Sequence, residues 1–551
     1  MYKLKPKLFS TMKTYTKEQF IKDVIAGIIV AIIALPLSIA LAIASGVNPE
    51  RGLYTAIIAG FFISFLGGSR VQIGGPTAAF VVIIYGIVEE FGMDGLIVAT
   101  IMAGIIMVLM GLFKFGGLIK YVPYTITTGF TAGIAVGIFA GQIKDFLGLT
   151  MKAVPSEFIE KIIAYGKNIS SFNPSAFFIG MIAILIILFW PKVTEKIPGT
   201  LIAIIVTTLI VKLTAMKVNT IGSVYGELSS QFPSLSIPHV NFHMIQKLLG
   251  PAFTIAILAG IESLLSCVVS DGMIGSRHRS NMELVAQGVG NVFSSLFGGI
   301  PATGAIARTA ANVKNGGRTP IAGIVHSITL LLILLILMPL AGLIPMPALA
   351  AILIVVAYNM CGWREFVSLV KTSPKSDILV LITTFLLTVI FDLVVAIEIG
   401  IVLAALLFMK RMADVAGVYS WKYKDDTRDE DEDSNSERLN LREVPSNTLV
   451  YEIEGPMFFA DTDKFMDISL GSSMKAVILR MRSVPAMDAS GLRIMKKILA
   501  SCNKKKITLI LSHVQEQPMS LMVKAGFVQD VGEENFCENI DTALLRAESL
   551  K

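Results

Sequence analysis

Two charged side chains, Arg308 and Glu262, lie inside otherwise apolar stretches of this 551-residue chain. A charge held at membrane depth is costly and is a functional candidate by default. A guanidinium suits an oxyanion, because its fork of donors matches paired oxygens. The plainer role for Arg308 is to snorkel to the membrane surface or to pair with a carboxylate such as Glu262. Glu262 sits in FTIAILAGIESLLSCVVSD, with Ser266 four residues on and on the same helix face. A carboxyl in such a setting is a candidate proton carrier; its plainer role is that of a structural partner for Arg308. Glu398, in the last apolar segment, is a weaker candidate.

The elements that must position these groups are two interrupted stretches. The first is FLGGSRVQIGGPTAAF, Phe65 to Phe80, and the second is LFGGIPATGAIARTAANVKNGG, Leu296 to Gly317. Each follows an apolar helix, breaks at a Gly-Gly pair and restarts among small residues. Paired breaks at corresponding points of two halves are the mark of inverted-repeat secondary transporters. Irregular backbone at that depth must line a cavity. A helix restarting there aims its free N–H groups and partial positive charge into that cavity, where an anion is favoured. Thr77 is the expected cap of the first restart, with Pro76 before it and Ala78 behind it; the plainer alternative is a proline kink in a packed helix. Gly304, Ala305 and Ile306 form the facing start, with Thr303 as a possible helper. Arg308 lies one turn into that second half-helix.

Composition sets the frame. Apolar residues make up 54% of the chain, and the mean hydropathy is +0.71, which fits a multi-span membrane protein. Apolar segments run at 22–45, 53–68, 77–92, 95–113, 122–147, 174–191, 198–215, 251–270, 283–297, 305–313, 320–343, 346–360, 377–391 and 393–410. The reads that begin at Thr77 and Ala305 are those expected of half-helices. The Lys-rich N-terminus shows no cleavable leader. With that end on the cytoplasmic side, every inner loop is basic: Arg70; Lys114 and Lys120; Lys192 and Lys196; Arg277 and Arg279; Lys314 and Arg318; Arg364, Lys371 and Lys375; Lys410 and Arg411. The outer loops carry Glu89, Glu90 and Asp94 or are long and mixed. This alternation supports fourteen segments and an inside C-terminus. The net charge of +6 belongs to these loops and is no nucleic-acid signal. Four cysteines and five histidines show neither a disulfide framework nor metal-ligand spacing. No nucleophile–base pair stands out, which argues against an enzyme.

Beyond the last segment the composition changes. DDTRDEDEDSNSE (425–437) reads as a solvated tether without the spacing of a calcium loop. TLVYEIE (448–454), KAVILRM (475–481) and ITLILSH (507–513) then read as buried strands among helical patterns, an α/β domain large enough to fold alone. The expected layout is a cytoplasmic N-terminus (1–21), a membrane domain (22–412), a charged linker (413–444) and the α/β domain (445–551).

DVIAGIIVAIIALPLSIALAIASGV (23–47), QIGGPT (72–77) and GIPATGAIARTAANVKNGGRTP (299–320) resemble the sulfate permease (SulP) family of anion transporters. GPMFFA (455–460) and MDASGL (487–492) resemble a STAS domain. The resemblance covers nearly the whole chain. It implies a polytopic α-helical membrane protein of seven plus seven segments in an inverted repeat with two half-helices, followed by a cytoplasmic STAS domain. It further implies a core (segments 1–4 and 8–11) moving against a gate (5–7 and 12–14), and a homodimer. The anion site would comprise Thr77, Ala78, Gly304, Ala305, Ile306 and Arg308, with the family's arginine at the matching position. Where relatives similar to sodium–bicarbonate symporters carry Thr, this chain has Ile306. Where sodium-coupled relatives favour Asp and Thr, it has Glu262 and Ser266, which points to proton coupling or plain exchange. Ser490 matches the serine phosphorylated in soluble STAS antagonists; its plainer role is capping a helix over 490–501.

The resulting expectation is a transporter of small anions in the bacterial inner membrane, with a sulfate-type oxyanion favoured and no cofactor or metal. Both termini are expected in the cytoplasm, where a partner of the STAS domain is also accessible. Bicarbonate, a fumarate-like dicarboxylate and channel conduction are the alternatives. A nucleobase permease is the nearest confusion of fold, opposed by the STAS domain and Arg308; loop compactness opposes a motor like prestin.

Overall fold

A computed structural model describes residues 4–117, 123–151, 154–155, 157–194, 198–391, 393–415, 417–420, 444–445, 447–458 and 474–550. The acidic tether and Phe459–Ala460 of the STAS motif lie outside these residues. The chain divides into two compact units, residues 1–402 and 403–551.

The first unit is helical. Its first half holds α1 (Lys17–Ala44), α2 (Pro49–Leu66), α3 (Val81–Leu112), α4 (Tyr124–Leu147), α5 (Pro174–Phe189) and α6 (Gly199–Thr214). A 3-10 turn, Ala78–Phe80, opens α3, and Gly92 leaves helical geometry within it (φ 65°, ψ −164°). That break separates the two segments expected on either side of residue 94. The second half holds α7 (Phe242–Ile274), α8 (Ser280–Leu296), α9 (Ile306–Lys314), α10 (Ile321–Ala341), α11 (Met346–Cys361) and α12 (Lys375–Ile390); α13 (Leu393–Val415) runs on into the second unit. Divided at Gly92, these helices number fourteen; four further helices, Leu8–Thr11, Phe158–Lys167, Ile221–Tyr225 and Trp363–Thr372, lie before or between them. Seven of the described helical stretches are long and apolar enough to cross a bilayer by length and composition.

Helices α1, α2, α3, α7, α8 and α10 pack chiefly on one another, and α4, α5, α6, α11 and α12 do likewise. Small residues allow this closeness. A Cβ on Gly104 of α3 would stand 2.7 Å from the Gly288 carbonyl of α8, and one on Gly288 would stand 2.4 Å from the Gly104 carbonyl. In the other cluster, a Cβ on Gly129 of α4 would meet the Leu381 carbonyl of α12 at 2.7 Å.

One face of this unit gathers basic loops. The Lys7 amide donates to Gly67 and the Arg279 amide to Gly68, both at 2.9 Å. Gly116 N–H bonds Asn281 Oδ1 at 2.9 Å, and Gln19 Nε2 bonds the Gly316 carbonyl at 3.0 Å. The segment before α1 and the loops carrying Arg70, Lys114, Arg279 and Lys314 therefore share a side, as the charge alternation requires.

The second unit is an α/β layer structure. Its sheet runs β3 (Gly417–Ser420), β4 (Thr448–Glu454), β5 (Ala476–Ser483), β6 (Thr508–Ser512), β7 (Phe536–Cys537), with β3 antiparallel to β4 and the other pairs parallel. β3 comes from the stretch expected to be linker and extends the sheet at its edge. Alternate residues of β5 feed two cores: Val477 and Leu479 face one, Ala476 and Ile478 the other. Helix α14 (Ala489–Lys504) closes the first core through Ile494, Met495 and Ile498, and α15 (Ile540–Glu548) the second through Ala543 and Leu544.

Candidate functional site

The two breaks meet as a short antiparallel ladder. β1 (Gly74–Gly75) pairs with β2 (Thr303–Gly304), with Gly74 opposite Gly304 and Gly75 opposite Thr303. The Ala305 amide continues it, donating to Ile73 O at 2.9 Å. Residues 229 apart in the chain, Gly75 and Gly304, are thus neighbours in the fold, and each strand leads directly into a helix start. Antiparallel pairing sends the two starts off opposite ends of the ladder.

Close approach demands glycine on both strands. A Cβ on Gly304 would stand 1.4 Å from Gln72 Nε2, and one on Gly75 would stand 2.4 Å from Arg308 Nη1. Gln72 is the hub behind the ladder. Its Nε2 donates to Ser263 O at 3.2 Å and to Ser263 Oγ at 3.3 Å. Its Oε1 accepts from Ser266 Oγ at 2.8 Å and from Thr309 Oγ1 at 3.5 Å. Ser266 is thereby tied to Gln72 and Thr309 and is fully enclosed.

The helix starts differ in detail. Thr77 takes the N-cap position in extended geometry, but its side chain caps nothing. Its hydroxyl donates instead to Glu262 Oε2, 3.1 Å away. Ala305 is the N-cap of α9, again with no side-chain cap. Thr303 is occupied elsewhere, donating to Ala259 O at 2.8 Å. Ala78 and Gly304 are buried, Ala305 is half-buried, and Ile306 is 44% exposed. Two uncapped N-termini in a small-residue setting leave their main-chain donors for a ligand.

Arg308 is 3% exposed. Its Nη2 donates to Pro76 O at 2.7 Å, and its Nη1 is buried with no hydrogen-bond partner. Among the described residues no ion pair joins it to Glu262. The cation therefore lies just behind the first helix start, clamped to the carbonyl that precedes Thr77. Standing in the first turn of α9 and bonded to Pro76 O, it lies close to both starts, so its positive field acts on each.

Some polar groups that hold the site escaped the sequence reading. Glu283 of α8 accepts the Gly68 and Ser69 amides at 2.8 and 3.0 Å and the Gln287 amide side chain at 2.9 Å. Asn291 brackets Ala302, donating to its carbonyl and accepting from its amide, each at 2.8 Å. Asn312 Nδ2 bonds Val71 O at 2.9 Å. The signal was present in α8: Glu283, Gln287 and Asn291 recur every four residues in a segment read as simply apolar. Glu398 is exposed on α13. In the second unit, Asp488 rather than Ser490 caps α14, accepting the Ser490 and Gly491 amides at 2.8 Å. Ser490 is half-buried in the first turn. Among the described residues no cluster of His, Cys, Asp and Glu could hold a metal ion.

Comparison with known proteins places this geometry. Residues 20–384 match the sulfate permease family and residues 439–543 the STAS domain. A putative sulfate transporter of Bacillus subtilis is 41% identical over 538 residues, 96% of this chain and 98% of that one. A bicarbonate transporter of a Picosynechococcus species is 31% identical over 452 residues, 79% of this chain and 78% of that one. The solved structure of the murine Slc26a9 anion transporter in its inward-facing state covers 99% of this chain and 94% of its own, with a TM-score of 0.88 and 19% identity.

Proposed function

This chain belongs to the sulfate permease family of multi-pass membrane anion transporters, and from that premise we propose that it carries a small sulfate-type oxyanion by alternating access. The observation that carries the reading is the β1–β2 ladder, which sets two uncapped helix starts beside one buried guanidinium. Backbone N–H groups at Ala78 and Ile306 would bind the anion, and Arg308 would raise the local potential. Helices α1–α3 and α7–α10 would move as a body against α4–α6 and α11–α13, exposing the site to each side in turn. The protein would sit in the inner membrane as a homodimer with both termini in the cytoplasm, the STAS unit acting in regulation or assembly.

Glu262 would link transport to protons. It has a hydroxyl partner in Thr77 and no cation partner among the described residues, so an anion arriving in the positive field of Arg308 would favour proton uptake at the carboxyl. Proton symport or anion exchange is therefore preferred to sodium coupling. A second reading, bicarbonate transport, is favoured by the 31% identical relative of that name. It is weakened here because Ile306 offers no hydroxyl. The deciding experiment is uptake by proteoliposomes of sulfate, bicarbonate and fumarate, with proton or sodium gradients imposed separately. Sulfate uptake in sodium-free buffer with an inward proton gradient is expected. Strict sodium dependence, or bicarbonate uptake alone, would replace this reading.

A further inference from the structure

On the basic face of the membrane unit lies a cavity of about 310 Å³, away from the helix starts. Four parts of the chain build it: the segment leading into α1, the loop before β1, the end of α7 and the loop after α9. Thr14, Thr16, Gln19, Arg70 and Arg318 provide its polar walls. Arg70 Nε is buried and makes no hydrogen bond, and among the described residues Arg70 has no ion pair. A buried guanidinium donor left unmatched beside a partly open cavity is costly unless something fills the space.

Of the two buried acids nearby, Glu283 is bonded to the Gly68 and Ser69 amides and the Gln287 side chain, and Asp23 is not that partner either. Asp23, fully buried, accepts from Gln19 Nε2 at 2.9 Å, the Arg318 amide at 2.8 Å and the Tyr15 hydroxyl at 3.0 Å. The Thr319 hydroxyl donates to it as well, so its acceptor sites are filled and none is left for Arg70. Arg318 lines the cavity while its Nη1 caps the Val313 and Gly317 carbonyls at 2.7 and 2.8 Å. Thr16, the N-cap of α1, accepts from the Gln19 amide at 3.2 Å, so its own proton remains to donate. Positive charge is crowded here. Lys7 is held below the usual lysine range, first by burial and then by Arg279 and Arg70.

We propose that this cavity is a binding site for a phosphate-type oxyanion, with Arg70 as its principal ligand and Arg318, Thr14 and Thr16 completing the shell. Guanidinium forks and hydroxyls suit tetrahedral oxyanions, and the N-terminus of α1 adds its dipole. Two sources share this chemistry: the phosphate of an anionic lipid headgroup at the membrane surface and free inorganic phosphate. A bound anion would cross-link the loops that lead to and from the two breaks, so occupancy would stiffen the transport core. The inference stands independently of the transported substrate.

The test is thermal unfolding of the full chain. In detergent, inorganic phosphate at the ionic strength of a chloride control should raise the midpoint saturably, by about 3 °C. Arg70→Gln should remove that rise, and Arg70→Lys should keep part of it. Thr14→Asp, placing a carboxylate beside Arg70, should raise the midpoint without phosphate and abolish the response, which answers the question even should Arg70→Gln fold poorly. Wild type in nanodiscs of phosphatidylglycerol, but not phosphatidylcholine, showing the Arg70-dependent rise assigns the site to lipid. An equal phosphate response in both bilayers assigns it to the free anion. Phosphate and phosphatidylglycerol responses identical in wild type and Arg70→Gln, or untouched by Thr14→Asp, overturn the proposal.

Discussion

At the first break a threonine, Thr77, stands at the helix start and gives its hydroxyl to Glu262. At the second the same position is held by Ala305, and polarity comes from Arg308, buried one turn further on. The main chain treats both halves alike: two residues of strand, pairing with each other, then a helix with no side-chain cap. Side chains divide the labour. One half contributes a hydroxyl linked to a titratable acid, the other a permanent cation that reaches across to the Pro76 carbonyl of its counterpart. An inverted repeat can keep its backbone while its side chains diverge, because ladder hydrogen bonds make no demand on side-chain identity.

That division is testable by removing one contribution at a time. Arg308→Ala should have the largest effect. Taking away the cation leaves Pro76 O and the buried space behind the ladder unmatched, so anion uptake should fall by roughly 100-fold, the scale of losing a preorganised donor. Arg308→Lys should recover only part, because an ammonium cannot reproduce the fork. Folding, followed by gel filtration in detergent, should persist in the lysine variant. Undiminished uptake of every anion by Arg308→Ala would place the cation outside the mechanism.

Gly304→Ala ranks next. Its Cβ would lie 1.4 Å from Gln72 Nε2, so Gln72 must swing away and release Ser263. Overpacking of this kind costs about 1–3 kcal/mol, and transport should drop about 10-fold through a displaced ladder. The paired change Gln72→Ala with Gly304→Ala makes room and should restore stability but not full transport. Equal behaviour of Gly304→Ala and wild type would mean that the ladder is looser than its geometry implies.

The parts that the sequence disclosed are those whose signal is local. Gly-Gly pairs, Pro76 and small residues announced both breaks; a lone Arg308 and a lone Glu262 stood out against apolar neighbours. The β4, β5 and β6 strands were readable because alternate residues feed two cores. What stayed hidden depends on partners far away in the chain. Ser266 shares a helix face with Glu262, yet its hydroxyl turns to Gln72, 194 residues earlier. Thr77 had the composition of a cap, but an acid 185 residues on outcompeted the local amides. Asp488 captured the amides that Ser490 would otherwise serve, being one residue before the helix rather than within it. No local pattern in Gly417–Ser420 reveals that β4 lies waiting to pair with it.

Glu262→Gln should leave the rate of exchange within about threefold of wild type, because the amide keeps the size and the hydrogen-bonding reach of the protonated acid. It should abolish accumulation driven by an inward proton gradient. Measuring uptake against a concentration gradient as external pH falls separates the two. Wild-type accumulation by this variant would assign coupling elsewhere and leave Glu262 a structural role.

The smallest effect is expected from Thr77→Val, which sharpens the comparison most finely. Valine keeps the branched shape and suits the extended backbone of this position (φ −126°, ψ 158°). What it removes is a single hydroxyl, half-exposed and donating to Glu262 at 3.1 Å. Neither helix start loses a side-chain cap, since Thr77 provides none. Uptake should therefore fall only about threefold, in line with roughly 0.5–1.5 kcal/mol for one hydrogen bond, and the response to a proton gradient should survive. Combined with Glu262→Gln, the threonine change should add less than it does alone, because the bond it removes is already weakened by the loss of charge. Full additivity of the two would show that Thr77 and Glu262 act separately. Loss of the gradient response in Thr77→Val alone would instead make the hydroxyl a step on the proton's path, and the first break would then carry coupling as well as binding.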